Sequence, residues 1–353
     1  LFFSSDIPQP SSGARDCTAQ LGFGAAAIGN LYRAIDDATA QAAITAALEA
    51  GIGYFDVAPH YGQGLAERRL GAGLKGTEVT ISTKVGRVLK PIDAPPKDTV
   101  RHGFVDGDPY EPVFDYSYDG VMRSFDASLM RLQREHIDIL LAHDLGEVTH
   151  GSAHPRHYRD FLEGGYRAMT ELKAQGRIKA IGLGVNEVAI CETLMSDVDL
   201  DVVLLAGRYT LLEQSPLETF FPLCAQKGVS VIAAAPFNSG ILIEGAKKGA
   251  CYNYAPAPEA IVERVRRIEA ICEAHAVPLA AAALQFPLAH PVVKRLLIGM
   301  GQPEQVTANL GYGQVNIPEA LWSDLKGEGL VHPDAPVPQA QTANSVQVES
   351  AHG

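Results

Sequence analysis

The chain has 353 residues, 46% of them hydrophobic and 20% charged, with a formal net charge of -12. That composition supplies ample apolar surface for a packed core, and the length suits a single α/β barrel with insertions. The acidic balance and the lack of any Lys/Arg cluster exclude a nucleic-acid partner, which needs a basic face to displace counterions, and favour a small neutral or sugar-like ligand.

The opening Leu1-Phe2-Phe3 is followed at once by Ser, Asp and Pro, far short of a signal-peptide core, and no stretch reaches membrane-spanning length. A soluble, cytoplasmic protein with no membrane partner is expected. Five cysteines (Cys17, Cys191, Cys224, Cys251, Cys272) lie far apart without a C-x-x-C pair, so neither a metal site nor a disulfide framework is expected. Nothing in the sequence specifies an oligomeric state.

Eight short runs rich in Val, Ile, Leu and Ala read as strands: Leu21 to Ala25, Tyr54 to Val57, Val79 to Val85, Ile137 to Ala142, Ala180 to Val185, Val202 to Leu205, Val229 to Ala235 and Leu296 to Ile298. Segments of helical period separate nearly every pair. After Asp36, the apolar Ala40, Ile44, Ala47 and Leu48 share a face and Gly51 offers a C-terminal cap. Val121, Phe125, Leu129 and Leu132 repeat the pattern, as do Leu162, Tyr166, Met169 and Leu172 before Gly176. Alternating strands and helices imply a parallel sheet, and closing it removes its edges, so a (β/α)8 TIM barrel spanning 1–331 is expected. The connection from Arg87 to Tyr118 is long and rich in Pro, Gly and Asp, a candidate cover for a pocket mouth. Residues 332–353 are poor in large apolar side chains and read as a loosely held tail.

Barrel active sites lie at the C-terminal ends of the strands. Strand two ends in Asp56, with Tyr61 on the loop beyond it; strand three ends near Lys84, strand four at His143 and strand five before Asn186. A phenol has a pKa of about 10, and a neighbouring ammonium draws it down; about two units would correspond to roughly 2.7 kcal/mol. Lys84 can supply that charge to Tyr61, Asp56 can keep Lys84 charged, and His143 can donate to a reacting oxygen. Each residue alone has an ordinary reading: a structural ion pair for Asp56 and Lys84, packing for Tyr61, a buried or capped imidazole for His143, a turn for Asn186. Their joint placement on consecutive strand ends is what points to acid/base chemistry.

The stretch from Gly51 through Asp56, Tyr61 and Gly62 to Glu67 and Leu70-Gly71 resembles the signature of the aldo-keto reductases. Ser82-Thr83-Lys84 and Leu141-Ala142-His143 resemble that family's lysine and histidine strands. The resemblance implies a (β/α)8 barrel in which Tyr61 is the general acid/base, Lys84 tunes it, Asp56 pairs with Lys84 and His143 orients the carbonyl. It also implies a nicotinamide cofactor held by Asn186, by Pro236, Asn238, Ser239 and Gly240 after strand seven, and by Gly299, Met300, Gly301, Gln302, Gln305 and Asn309 after strand eight. The glycines of these loops also suit plain tight turns.

Family members preferring NADP usually carry a basic residue in the second loop, whereas residues 299–305 hold no Lys or Arg and include Glu304. NAD is therefore expected over NADP. Ala206 stands where many members have a carboxamide-holding glutamine. The runs around Asn30-Leu31-Tyr32-Arg33, Val57 to Tyr61, Lys84 to Arg87 and His143-Asp144-Leu145 look like the D-threo-aldose 1-dehydrogenase subgroup. That likeness implies oxidation of the anomeric carbon of a free aldose (L-fucose, L-galactose or D-arabinose type) to a lactone, with Tyr32, His60, Arg87 and Asp144 near the sugar. Oxidation of pyridoxal or another aldehyde or hemiacetal, and a nicotinamide-binding regulatory barrel, are the alternatives.

Overall fold

A computed structural model describes residues 17–339 of the chain. Eight parallel strands close into a barrel: β1 (Leu21–Gly24), β2 (Tyr54–Asp56), β3 (Thr80–Val85), β4 (Ile137–His143), β5 (Ile178–Val185), β6 (Val202–Ala206), β7 (Ser230–Ala234) and β8 (Val293–Gly299). Each pairs with its neighbours in sequence, and β8 returns to β1 through Leu21↔Leu296 and Gly24↔Gly299. All eight expected runs are strands, and the (β/α)8 barrel is the fold.

Helix ends follow the local chemistry. The Asp36 carboxylate accepts from Thr39 N–H at 2.8 Å and starts the helix Asp37–Glu49, and Gly51, at φ +81°, turns the chain away from it. Ser117 likewise caps Tyr118–Leu132, accepting from Gly120 N–H. These helices bury Ala40, Ala43, Ile44 and Ala47, and Val121, Phe125 and Leu132, against the barrel wall.

Two cores result from the two-residue period of the strands. One side of each strand packs against the helices. The other side fills the barrel interior with Tyr54, Ile139, Leu141, Ala180, Val202, Leu204, Ile232, Ala234 and Leu297. The active-site candidates sit one step further along the same inward rows: Tyr54 then Asp56, Ser82 then Lys84, Leu141 then His143.

The connection from Arg87 to Tyr118, expected as a loop, is built from two antiparallel ribbons: Arg87–Pro91 against Tyr110–Phe114, and Val100–Arg101 against Phe104–Val105. It is pinned to the barrel rim. Val105 N–H donates to Asn30 O, Tyr32 N–H to Gly103 O, and Asp108 N–H to Gly62 O. After β7, Cys251–Tyr252 and Ala255–Pro256 form a third small ribbon.

Within residues 332–339, His332 N–H donates to Gln214 and Ala335 and Pro338 are buried, whereas Pro333, Asp334 and Gln339 are exposed. Of the tail expected from His332, residues 340–353, like the opening residues 1–16, lie outside the described residues. No single helix among the described residues is long and apolar enough to cross a membrane.

Candidate active site

Parallel register sets Asp56 of β2 beside Ser82 of β3, and Lys84 beside Leu141 of β4. Because Asp56, Lys84 and His143 all occupy inward positions at the strand ends, their side chains converge on the barrel mouth. Lys84 Nζ donates to Asp56 Oδ2 at 2.6 Å, to Val57 O at 2.9 Å and to Tyr61 Oη at 3.1 Å. Those three acceptors use all three N–H groups of the ammonium. Asp56 and Lys84 are each 1% exposed, so the pair is tolerable only because both partners are hydrogen-bonded throughout. Gly184 leaves room for the lysine stem: a Cβ there would lie 3.3 Å from Lys84 Cε.

The charges oppose one another. Burial pulls the Lys84 ammonium down, but Asp56 and Tyr61 outweigh it and hold it above its ordinary value. Burial pushes the Asp56 carboxyl up against the pull of Lys84. For Tyr61 the expected lowering is not the outcome: burial pushes its phenol up to about 12, with Lys84 pulling the other way and Asp56 adding to the rise. Removing a phenolate from water costs more here than one ammonium, itself half-neutralised by a carboxylate, returns.

His143, 6% exposed, has its pKa held well below the usual imidazole range by burial, then by Arg87, Lys84 and His60. It is a neutral imidazole at neutral pH. Its ring centroid lies 5.9 Å from that of Tyr61. The Tyr116 phenol donates to the His143 carbonyl at 2.6 Å and fixes that strand end. Gly86, at φ +106°, makes way for Tyr116; a Cβ would stand 2.2 Å from its ring.

The other substrate candidates are placed unevenly. His60 lies beside the centre, 6.1 Å from the His143 ring, and burial, then Arg87, His102 and Lys84, lower its pKa to about 3. Arg87 and Asp144 pair with each other at 2.8 Å, and Asp144 Oδ2 is 3.5 Å from His143 Nε2. One Arg87 nitrogen, Nη1, is buried without a partner. Tyr32 is 62% exposed. Sequence reasoning missed Phe104, which packs edge-on to His60 at 5.5 Å and against Tyr61 at 6.1 Å. No local signal marked Phe104, because its position depends on how the long connection folds back. Ser82 and Tyr54, also missed, were readable as the inward neighbours of Lys84 and Asp56.

The two expected cofactor loops differ in character. Asn238 and Ser239 adopt positive φ (44° and 62°), Gly240 follows at 96°, and Asn238 Oδ1 is a buried acceptor without a partner. Pro236 and Asn238 are buried and Ser239 is exposed. After β8, Gln302 precedes the helix Pro303–Gln314 without capping it by its side chain; Pro303 has no N–H and Gln305 N–H donates to Gln302 O, so Glu304 N–H is the donor the first turn keeps for an anion. Gln305 accepts from Gly301 N–H at 2.8 Å. Met300 is fully buried and its N–H faces Gly24 O, which leaves only its backbone carbonyl for a ligand. Asn309 is 5% exposed. The Asn186 carbonyl accepts from Arg208 Nε at 2.7 Å, and Arg208 Nη1 reaches Asn253 Oδ1 of the third ribbon. The uncapped helix start suits a diphosphate, and the orphaned Asn238 amide oxygen suits a donor elsewhere on a nucleotide, such as a ribose hydroxyl.

The barrel with this rim belongs to a known class: residues 20–327 match the aldo/keto reductase family. The chain is a member of that family, an oxidoreductase family that uses nicotinamide cofactors on small aldehyde or sugar substrates. It is 45% identical over 323 residues to a pyridoxal 4-dehydrogenase of Microbacterium luteolum, covering 88% of this chain and 94% of that protein. It is 39% identical to a D-threo-aldose 1-dehydrogenase of a Pseudomonas species, with 88% and 94% covered. Among solved structures, an aldo-keto reductase of Bacillus halodurans in its holo form superposes with a TM-score of 0.68 at 24% identity, covering 91% of this chain and 94% of that one. The glycerol dehydrogenase of Gluconobacter oxydans gives 0.69 at 19% identity, covering 95% and 99%. These two support the fold alone.

Proposed function

We propose that the protein oxidises the hemiacetal carbon of a ring-closed aldehyde to a lactone, with NAD as acceptor. The observation that carries this reading is the continuous hydrogen-bonded chain Asp56–Lys84–Tyr61, which ends beside the neutral His143 at the barrel mouth. When bound, the nicotinamide supplies the hydride acceptor. Tyr61, as phenolate, takes the proton of the hemiacetal hydroxyl, and Lys84 stabilises the phenolate. His143 donates to the same oxygen. Phe104 and His60 restrict water around it.

NAD is favoured over NADP because the first turn of the helix Pro303–Gln314 carries Glu304 and residues 299–305 offer no cation for a ribose phosphate. The substrate read from the sequence runs is an aldose of the L-fucose, L-galactose or D-arabinose type. Pyridoxal is the second reading. It is favoured by the 45% identity to a pyridoxal 4-dehydrogenase and by the flat rings of Phe104, His60 and His102 gathered at the centre. Both substrates present the same chemistry, since each closes to a cyclic hemiacetal.

The test is the absorbance of reduced cofactor with NAD or NADP against L-fucose, L-galactose, D-arabinose, D-glucose and pyridoxal. Turnover with NAD on one of the hemiacetals is expected, with loss of the rate in Tyr61→Phe. A barrel that binds cofactor but turns over none of them favours the regulatory alternative, and turnover with NADP alone overturns the cofactor reading.

A further inference from the structure

Asp56 has a second set of partners below the pair with Lys84. Ser82 Oγ lies 2.6 Å from Asp56 Oδ1, and Tyr54 Oη lies 2.8 Å from Ser82 Oγ. Ser82 is fully buried and Tyr54 is 1% exposed. The proton count fixes the direction of this chain. An ionised carboxylate only accepts, so the single Ser82 hydroxyl proton goes to Asp56, and Tyr54 must then donate to Ser82. Hydrogen bonds therefore run from Tyr54 to Ser82 to Asp56 on one carboxylate oxygen, while Lys84 donates to the other and onward to Tyr61.

From this geometry we infer that Ser82, backed by Tyr54, is a positioning residue for the proton transfer at Tyr61, acting by keeping Asp56 ionised and turned toward Lys84. The inference rests on Tyr61 as acid and base. Without the Ser82 hydroxyl, one oxygen of a wholly buried carboxylate is left unsolvated. The carboxyl then holds a proton more readily, shares the one on Lys84, and weakens the positive charge that Lys84 presents to the phenol. The Ser82 bond acts in that sense on Asp56, lowering its pKa alongside Lys84 against the larger push of burial.

The groups facing this cluster are Lys84 from β3, Tyr61, His60 and Asp144 from the rim loops, His143 from β4, Arg87 beyond it, and Tyr54 with Arg295 on the interior side. Among the described residues, Ser82 and Lys84 hydrogen-bond the Asp56 carboxylate directly.

The experiment compares Ser82→Ala, Ser82→Thr and Tyr54→Phe with the parent full-length protein. Carboxyl-carbon NMR of the cofactor-free protein is expected to show Asp56 protonating about one pH unit higher in Ser82→Ala, with a smaller shift of the same sign in Tyr54→Phe. With cofactor, kcat for oxidation is expected to fall about tenfold at neutral pH with KM unchanged, and Ser82→Thr, which keeps the hydroxyl, is expected to recover most of it. An Asp56 titration that superimposes on the parent's in Ser82→Ala or, where that variant does not fold, in Tyr54→Phe overturns the inference. So does a threonine variant no better than alanine. A Tyr61→Phe variant at full rate would instead remove the acid/base reading while leaving the Asp56 titration as it was.

Discussion

Replacing Lys84 by Met tests the centre most directly, because the side-chain volume is nearly kept and only the charge and its three donors are lost. At 3.1 Å from Tyr61 Oη, an ammonium stabilises a phenolate by about 5 kcal/mol at an effective dielectric of about 20. The Asp56 carboxylate on the same ammonium cancels roughly half of this, leaving on the order of two pH units. Oxidation at neutral pH is therefore expected to fall about a hundredfold in Lys84→Met, with KM within about threefold of the parent. Stability is expected to drop as well, by about 2–4 kcal/mol, because Asp56 is left buried without its cation. Adding Asp56→Asn is expected to cost less than the sum of the single changes, since the two residues act as one unit. The assays are initial rates across pH with NAD and the hemiacetal panel, and urea unfolding followed by circular dichroism. A Lys84→Met protein that keeps the parent's pH-rate profile would refute the tuning of Tyr61 by Lys84.

Three further outcomes follow from the same site. Burial holds the Tyr61 phenol at about 12, so the oxidation rate, which needs phenolate, is expected to rise about tenfold per pH unit through the neutral range while reduction stays nearly flat; a plateau of oxidation below pH 8 contradicts this. His60, held neutral to about pH 3, takes up a proton on unfolding anywhere below its ordinary value of about 6.5. Its contribution to stability is therefore present above that value and lost as pH falls toward 3, at about 1.4 kcal/mol per unit, and His60→Phe is expected to flatten the acid limb of a urea-midpoint series by that slope. Gly86→Ala places a Cβ 2.2 Å from the Tyr116 ring at φ +106°; a loss of about 2–5 kcal/mol by chemical denaturation is expected, with a fall in kcat because Tyr116 anchors the His143 carbonyl.

The barrel and the converging residues were legible because they obey short-range rules. Each strand is an apolar run, and Asp56, Lys84 and His143 stand at the ends of theirs in positions that a two-residue period turns inward. What was not legible depends on partners remote in sequence. Arg87 and Asp144 were expected near the sugar, but that they pair with each other across 57 positions was not readable. The stretch rich in Pro, Gly and Asp after β3 read as loop, because its ribbons form only once Arg87 meets Phe114 and Val100 meets Val105. Met300 was implied as a cofactor contact by the family resemblance, and that its side chain lies in the core was not readable from its place between two glycines.

Tyr61 shows why the chemistry needed more than the residue list. Sequence identifies the ammonium that lowers its pKa but not the burial that raises it, and burial is the larger effect. A phenol held protonated this way keeps its proton available to a reacting oxygen, but little of it is phenolate at neutral pH. A protein that uses it for oxidation must therefore keep every charge behind Lys84 in place, since each unit lost there is a further tenfold loss of phenolate. That requirement gives the buried row beneath the rim a chemical purpose. Ser82 and Tyr54 fill interior positions that Ile139, Leu141 and Ala180 fill with hydrocarbon, and a polar pair in such a layer is costly unless the carboxylate above depends on it.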